Sequence, residues 1–135
     1  MRFFRTVMIR HEWFDVIIMT ATRIETGTPE GDALGFFEDL FSGWLEMEGR
    51  DRLYLHYIIS RNKNAGNTQN LIRSWLGMGY DVRVVMPRPI MQHILQKFRF
   101  VPDTEYFPNQ YEDKVEVWYC PDTVRLLIRN SYSMN

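Results

Sequence analysis

The sequence predicts an α/β fold, a mixed sheet flanked by helices, built as a single domain over residues 1–135. In the second half of the chain, apolar strand-like runs alternate with helical segments, an order that calls for partly parallel strands joined by right-handed crossovers. A length of 135 residues suits one domain with a sizeable core. Neither a linker nor an internal repeat divides the chain.

Composition indicates a globular protein, since hydrophobic residues make up 45% of the chain and charged residues 24%. Aromatic residues, at 15%, are in excess. They bury large areas and so favour a thickly filled core, although a protein-binding surface uses the same residues. Sixteen Lys and Arg against seventeen Asp and Glu give a net charge of −1, which argues against broad binding to nucleic acids or acidic membranes but is compatible with a local basic patch.

The compartment predicted from the sequence is the cytoplasm. The lone cysteine, Cys120, excludes an internal disulfide and is expected to be a packed thiol. Charged residues interrupt the N-terminal segment, so it does not read as a signal peptide, and no run is long and apolar enough to span a membrane. The three histidines lack the spacing of zinc ligands, so no metal site is expected.

In the first half, residues 2–10 read as a strand, while residues 12–21 are ambiguous between a short helix and a buried strand. Thr28 is expected to cap a helix that has Pro29 at its first position. Asp32 to Glu48 then shows helical spacing, with Gly49 as its C-terminal cap. The residues expected to share one face of that helix are Leu34, Phe37, Phe41, Trp44 and Leu45.

The second half reads as strand, helix, strand, helix and strand, followed by a tail with a short apolar run and a fraying end. The expected elements are a strand over 52–60, a helix over 67–78, a strand over 80–86, a helix over 90–98, a short strand over 104–107 and a strand over 111–119. These segments place one polar loop, Arg61 to Thr68, between a strand and a helix.

This loop has the composition of an anion-binding site. Its Asn and Gly residues tolerate left-handed backbone conformations, so successive N–H groups can turn inward beside the positive end of the following helix. Arg61 and Lys63 add positive charge. The alternative is an ordinary strand-to-helix turn with Asn67 or Thr68 as the helix cap.

The run Arg61-Asn-Lys-Asn-Ala-Gly66 resembles the pyrophosphate loop of the GNAT-type N-acetyltransferases, Gln/Arg-x-x-Gly-x-Gly/Ala, with Asn64 at the middle Gly. A second register, Lys63-x-x-Gly66-x-Thr68, keeps that Gly. The order of the following elements is also similar to the family, and Lys97-Phe-Arg-Phe100 resembles its Lys-x-Gly-Phe signature. Arg99 stands at the Gly, and Leu95 stands where the family often has a tyrosine general acid.

The resemblance covers roughly residues 52–120 and implies a GNAT-like sheet. Because the family usually has three strands between the preceding helix and the loop, and one is predicted here, the sheet is expected either to be abbreviated in its N-terminal half or to take strands from the ambiguous segment at residues 12–24. The implied cofactor is acetyl-CoA, and the implied reaction is acetyl transfer to a small-molecule or protein amine. The implied cofactor-binding residues are Arg61, Asn62, Lys63, Asn64, Ala65, Gly66, Asn67 and Thr68.

The candidate general bases for that reaction are His56 and Glu116, each on a predicted strand that would border the cleft. Strand alternation predicts that His56 and Tyr57 face opposite sides of the sheet. A lone histidine in an apolar strand is also often structural. Two alternatives stay open: a non-catalytic domain of the same fold acting through protein–protein contacts, including a homo-oligomer, and an unrelated α/β protein.

Overall fold

The computed structural model describes residues 2–9, 12–19, 22–63, 65–107 and 113–133. The strands in these residues are β1 (Arg2–Ile9), β2 (Glu12–Met19), β3 (Thr22–Glu25), β4 (Phe41–Glu48), β5 (Arg52–Ser60), β6 (Asp81–Val85), β7 (Val101–Glu105) and β8 (Val115–Tyr119). The helices are α1 (Pro29–Ala33), α2 (Asn67–Gly77), α3 (Pro89–Lys97) and α4 (Asp122–Ser133).

Six of these strands form one mixed sheet in the order β3-β4-β5-β6-β8-β7. Its only parallel pair among the described strands is β5 and β6, which α2 connects; the other neighbours are antiparallel. Strands β1 and β2 pair as a separate antiparallel hairpin, from Arg2 opposite Met19 to Ile9 opposite Glu12. The predicted α/β class and mixed sheet are therefore confirmed.

The helices contribute to the main core on one side of the sheet, which we call the helix face. Leu53 and Leu55 of β5 lie in this core with Trp75 of α2, and the Trp75 indole Nε1 donates a 2.8 Å hydrogen bond to the Leu34 carbonyl. Leu95 of α3 is fully buried there as well. The other side, which we call the open face, carries a smaller cluster that includes Tyr54, Val85 and Val117.

The helix predicted over Asp32 to Glu48 is wrong. Helix α1 ends at Ala33, Gly35 follows in a left-handed conformation (φ 75), and strand β4 begins at Phe41. Neighbours β3 and β5 both pair with β4, so strand ladders satisfy the backbone that a helix would otherwise satisfy internally. Gly49 lies in the β4–β5 turn (φ 67) and caps no helix.

Other features of the first half agree with the sequence more closely. Thr28 caps α1, because its Oγ1 accepts a 3.1 Å hydrogen bond from the Gly31 N–H, and Pro29 is the first helical residue. The ambiguous segment 12–21 contains strand β2. Two strands, β4 and β5, lie between α1 and the loop, where the sequence predicts one, and β3 precedes α1.

The second half follows the predicted order, with shifted ends. Strand β7 begins at Val101 rather than at 104, and β8 begins at Val115, while residues 111 and 112 of its predicted span lie outside the described residues. The tail forms helix α4, whose Val124 and Ile128 pack against the core on the helix face. Within the short apolar run predicted there, Leu126 and Leu127 are exposed, so only part of the run packs against the core.

Candidate functional site

Strands β5 and β6 stop pairing half-way along β5. Their parallel ladder runs from Arg52 opposite Asp81 to Leu55 opposite Val84, whereas β5 continues to Ser60 and stays paired with β4. Strand β6 turns toward β8 instead, and the Met86 N–H donates a 2.8 Å hydrogen bond to the Glu116 carbonyl. Among the described strands, none pairs with this edge of β5 beyond Leu55; we call this unpaired stretch the gap, and the loop from Arg61 follows at its end.

Helix α2 starts beyond this gap without a side-chain cap. Gly66 is the capping residue in a left-handed conformation (φ 74), and its carbonyl accepts the first helical hydrogen bond, 3.0 Å from the Asn70 nitrogen. The alternative in which Asn67 or Thr68 caps the helix is wrong. Because the N–H groups of a first turn have no partner within a helix, they are available to an anion.

The space around Gly66 suits such an anion. Apart from its chain neighbours and the nearby backbone of α2, no described atom lies within 4 Å of the position that a Cβ on Gly66 would take. Ala65 and Gly66 are exposed, and Asn67 and Thr68 are half-buried at the helix start. Four of the predicted cofactor-binding residues therefore lie together at an open helix end.

The rest of the loop differs from the prediction in one respect. The Arg61 Nε donates to the Glu38 carbonyl at 2.7 Å and to the Phe41 carbonyl at 3.3 Å, so this guanidinium fastens the loop to the segment before β4. Asn62 and Lys63 are exposed, and Asn64 lies outside the described residues. Lys63 is thus the loop's free cation in the described part of the chain.

His56 lies at a bulge in β5. Trp44 of β4 is opposite Tyr57 and Leu45 is opposite Leu55, so His56 is the extra residue. The Trp44 and His56 rings stack with centroids 4.6 Å apart and planes 13° apart. The bulge therefore interrupts the strict alternation predicted for His56 and Tyr57: Trp44 is the ladder partner of Tyr57, while its ring stacks on His56.

The His56 side chain is only 2% exposed, and its Nε2 lies 3.4 Å from Glu46 Oε1. Neither ring nitrogen makes a hydrogen bond of good geometry within the described residues. Phe107 packs edge-on against the ring at 5.8 Å. The imidazole is therefore enclosed by the Trp44 and Phe107 rings and the Glu46 carboxylate.

Glu116, the other candidate base, lies on the far side of the sheet. Its carboxylate accepts a hydrogen bond from the Trp118 indole, and Trp118 belongs to the core on the helix face. His56 contacts Tyr54, which belongs to the open face. The structure therefore does not bring the two candidate bases together.

Sequence reasoning missed an ionic network. Asp81 Oδ2 accepts from Arg52 Nε at 3.0 Å and from Arg83 Nη2 at 3.3 Å. Glu105 accepts from Arg83 Nη1 at 3.3 Å and from the Tyr54 hydroxyl at 3.2 Å. Burial, with a smaller contribution from Glu105, raises the pKa of Tyr54 to about 12. The sequence feature that could have indicated this network is the alternation of Asp81 and Arg83 with valines in a predicted strand.

Cys120 is buried as predicted, 1% exposed, and its thiol donates to the Phe98 carbonyl at 3.5 Å. Burial raises the pKa of Cys120 to about 11 from an ordinary 9.0, so the fold favours the protonated thiol. Its contribution to stability is complete below about pH 9 and declines as the pH rises toward 11. We expect Cys120→Ala to reduce the loss of thermal stability between about pH 9 and 11.

A second measurement checks the same thiol. In the native protein Cys120 should resist iodoacetamide at about pH 8, because the thiolate is the reactive form, and should react fully in denaturant. Rapid alkylation of the folded protein would contradict the buried thiol.

Comparison of the chain with protein-family models, curated proteins and solved structures gives no significant match. Among the described residues, no helix has the length and apolar character needed to cross a membrane. The same part of the chain holds no group of three or more His, Cys, Asp or Glu placed to bind a metal ion.

Proposed function

We propose that this chain is a GNAT-like acyl-CoA-binding domain that transfers an acetyl group from acetyl-CoA to a small-molecule or protein amine. The observation that carries the proposal is the uncapped start of α2 beside the gap between β5 and β6. The loop motif and the order of the elements also support the proposal, because both resemble those of the family.

In this proposal the pyrophosphate of acetyl-CoA binds the N–H groups at the start of α2, with Lys63 nearby. The thioester lies in the gap, where backbone N–H groups of β5 beyond Leu55 polarise its carbonyl. The amine nitrogen attacks the carbonyl carbon, so a C–N bond forms and the C–S bond breaks. His56 takes the proton from the attacking amine through a water, and the departing thiolate takes a proton from solvent.

Calorimetric titration with acetyl-CoA tests the binding step directly. We expect saturable heat in the concentration range of ordinary cofactor affinities, and a matching rise in the thermal unfolding temperature. Titration with inorganic pyrophosphate should compete, since it occupies the same N–H groups. If acetyl-CoA produces neither heat nor a thermal shift well above that range, the proposal is wrong.

His56→Gln tests the catalytic step. We expect kcat to fall by about 10²–10⁴-fold with acetyl-CoA affinity unchanged, because an amide cannot accept the proton. CoA release from acetyl-CoA with a panel of amines would measure it, and the exposed His93→Gln on α3 is the matched control. Equal activity of the two variants would remove His56 from the mechanism.

One observation favours a second candidate function, binding without catalysis. Leu95 stands where the resembled family often has its general acid, and it is 0% exposed, packed in the core. A domain that keeps the cofactor site without that acid would act through contacts with another protein or a second copy. Saturable acetyl-CoA binding with no turnover against any tested amine would support this alternative.

A further inference from the structure

A cavity of about 410 Å³ lies on the helix face between α2, the end of α3 and α4. Cationic side chains line it from two of these elements: Arg73 from α2, and Lys97 and Arg99 from the end of α3. The apolar part of its lining includes Phe98, Leu127 and Ile128. The space is large enough for a small organic molecule, and it combines apolar walls with cations, as ligand sites commonly do.

These three cations have no carboxylate partner among the described residues, whereas Arg23, Arg52, Arg83 and Arg125 all do. Arg73 donates to the Asn70 amide oxygen at 3.1 Å and lies 5.6 Å from the Phe98 ring. Lys97 Nζ donates to the Gln69 amide oxygen at 3.1 Å. In a chain of net charge −1, this is a local concentration of uncompensated positive charge.

Arg99 adds an independent observation, because its backbone is left-handed (φ 60). It follows the end of α3, where the Phe100 N–H bonds back to the Leu95 carbonyl at 3.1 Å. Helices commonly place Gly at this point, since a left-handed residue with a side chain costs about 1–2 kcal/mol. Arg99 therefore does not favour stability here, but it does bring a guanidinium to the cavity.

We propose that this cavity binds an organic acid with an unbranched alkyl tail, dissolved rather than held in a membrane. Its carboxylate pairs with Arg99 and Arg73, because guanidinium groups match the planar carboxylate. Its tail lies along Phe98, Leu127 and Ile128, whose apolar surface loses water on binding. This site goes beyond the proposed acetyl-CoA site and does not depend on it.

Decanoate below its micelle concentration is the probe, titrated into the full chain by calorimetry. We expect saturable binding of decanoate, with decanol and decyltrimethylammonium binding at least about tenfold more weakly, because one lacks the charge and the other reverses it. Equal affinity for decanol would overturn the proposal, as would the absence of decanoate binding. Binding only to vesicles of phosphatidylglycerol would also overturn it.

Arg99→Gly separates this role from a structural one. We expect decanoate affinity to fall about tenfold while the thermal unfolding temperature rises, since the change removes a charge and relieves the left-handed strain. Met86→Gly is the matched control: Met86 is the other described non-glycine residue of positive φ (46) and does not line the cavity, so decanoate affinity should stay unchanged. Unchanged affinity in Arg99→Gly would overturn the proposal.

The acetyl-CoA site is tested in the same series. We expect Gly66→Val to remove acetyl-CoA binding and leave decanoate affinity unchanged, because Gly66 does not line the cavity. Competitive displacement of decanoate by acetyl-CoA in the unaltered protein would show that the cavity belongs to the nucleotide site, and the proposal would be wrong. Failure of acetyl-CoA to bind would leave the decanoate result standing.

Discussion

Gly66→Val is expected to raise the dissociation constant for acetyl-CoA at least about a hundredfold while the protein stays folded. The new side chain would enter the open space at the start of α2, where the proposal places the pyrophosphate. It would displace several charge-assisted hydrogen bonds from N–H groups, each worth about 1.5–3 kcal/mol. Calorimetric titration of both proteins with acetyl-CoA measures the effect.

The control is Gly49→Val in the β4–β5 turn. Gly49 has the same left-handed conformation (φ 67, against 74 at Gly66), and its turn precedes β5, whereas the loop follows that strand. Both variants should lose comparable stability from backbone strain, and only Gly66→Val should lose acetyl-CoA. Retained binding in Gly66→Val would show that another loop holds the cofactor.

Gly43→Ala is expected to lower the free energy of unfolding by about 3–5 kcal/mol. Gly43 of β4 has φ 128, a conformation that only glycine adopts easily, and an added Cβ would lie 2.1 Å from the Tyr57 carbonyl oxygen. Tyr57 adjoins the bulge in β5, so relief of this clash also disturbs His56. Urea unfolding followed by tryptophan fluorescence measures the change.

Gly66→Ala supplies the comparison. It shares the positive φ but meets no described atom within 4 Å, so it should cost only about 1–2 kcal/mol. If Gly43→Ala costs no more than Gly66→Ala, the close approach between β4 and β5 at Tyr57 is not a real constraint.

The second half of the chain was predictable because its signals are local. Each apolar strand there ends in Gly, Pro or a polar loop, and α2 and α3 each bury one side. The prediction of a helix for the segment from Phe41 is wrong because the spacing of its apolar residues fits a helix as well as a strand. This segment is a strand because it pairs with both β3 and β5, and only the tertiary structure shows that pairing.

The candidate site was predictable in its residues and less so in their roles. The composition of the loop pointed to Gly66, and the structure places that residue at an open helix end. Arg61 was assigned to the anion, but its Nε bonds to Glu38, 23 positions earlier, a contact that spacing cannot reveal. The bulge at His56 likewise depends on the partner strand, because register is a property of two strands together.

The hydrogen bonds of Arg61 couple the movements of two segments. The loop before α2 and the segment that opens β4 are tied through the Arg61 guanidinium, through the Arg61 N–H, which donates to the Leu40 carbonyl at 2.8 Å, and through the pairing of Phe41 with Ser60, so neither can move far without the other. A ligand that orders the loop therefore also orders the start of β4, at the near side of Gly43. In the proposed complex, occupancy at the helix end would therefore reach the bulge that holds His56 through the hydrogen bonds of Arg61 and the first residues of β4.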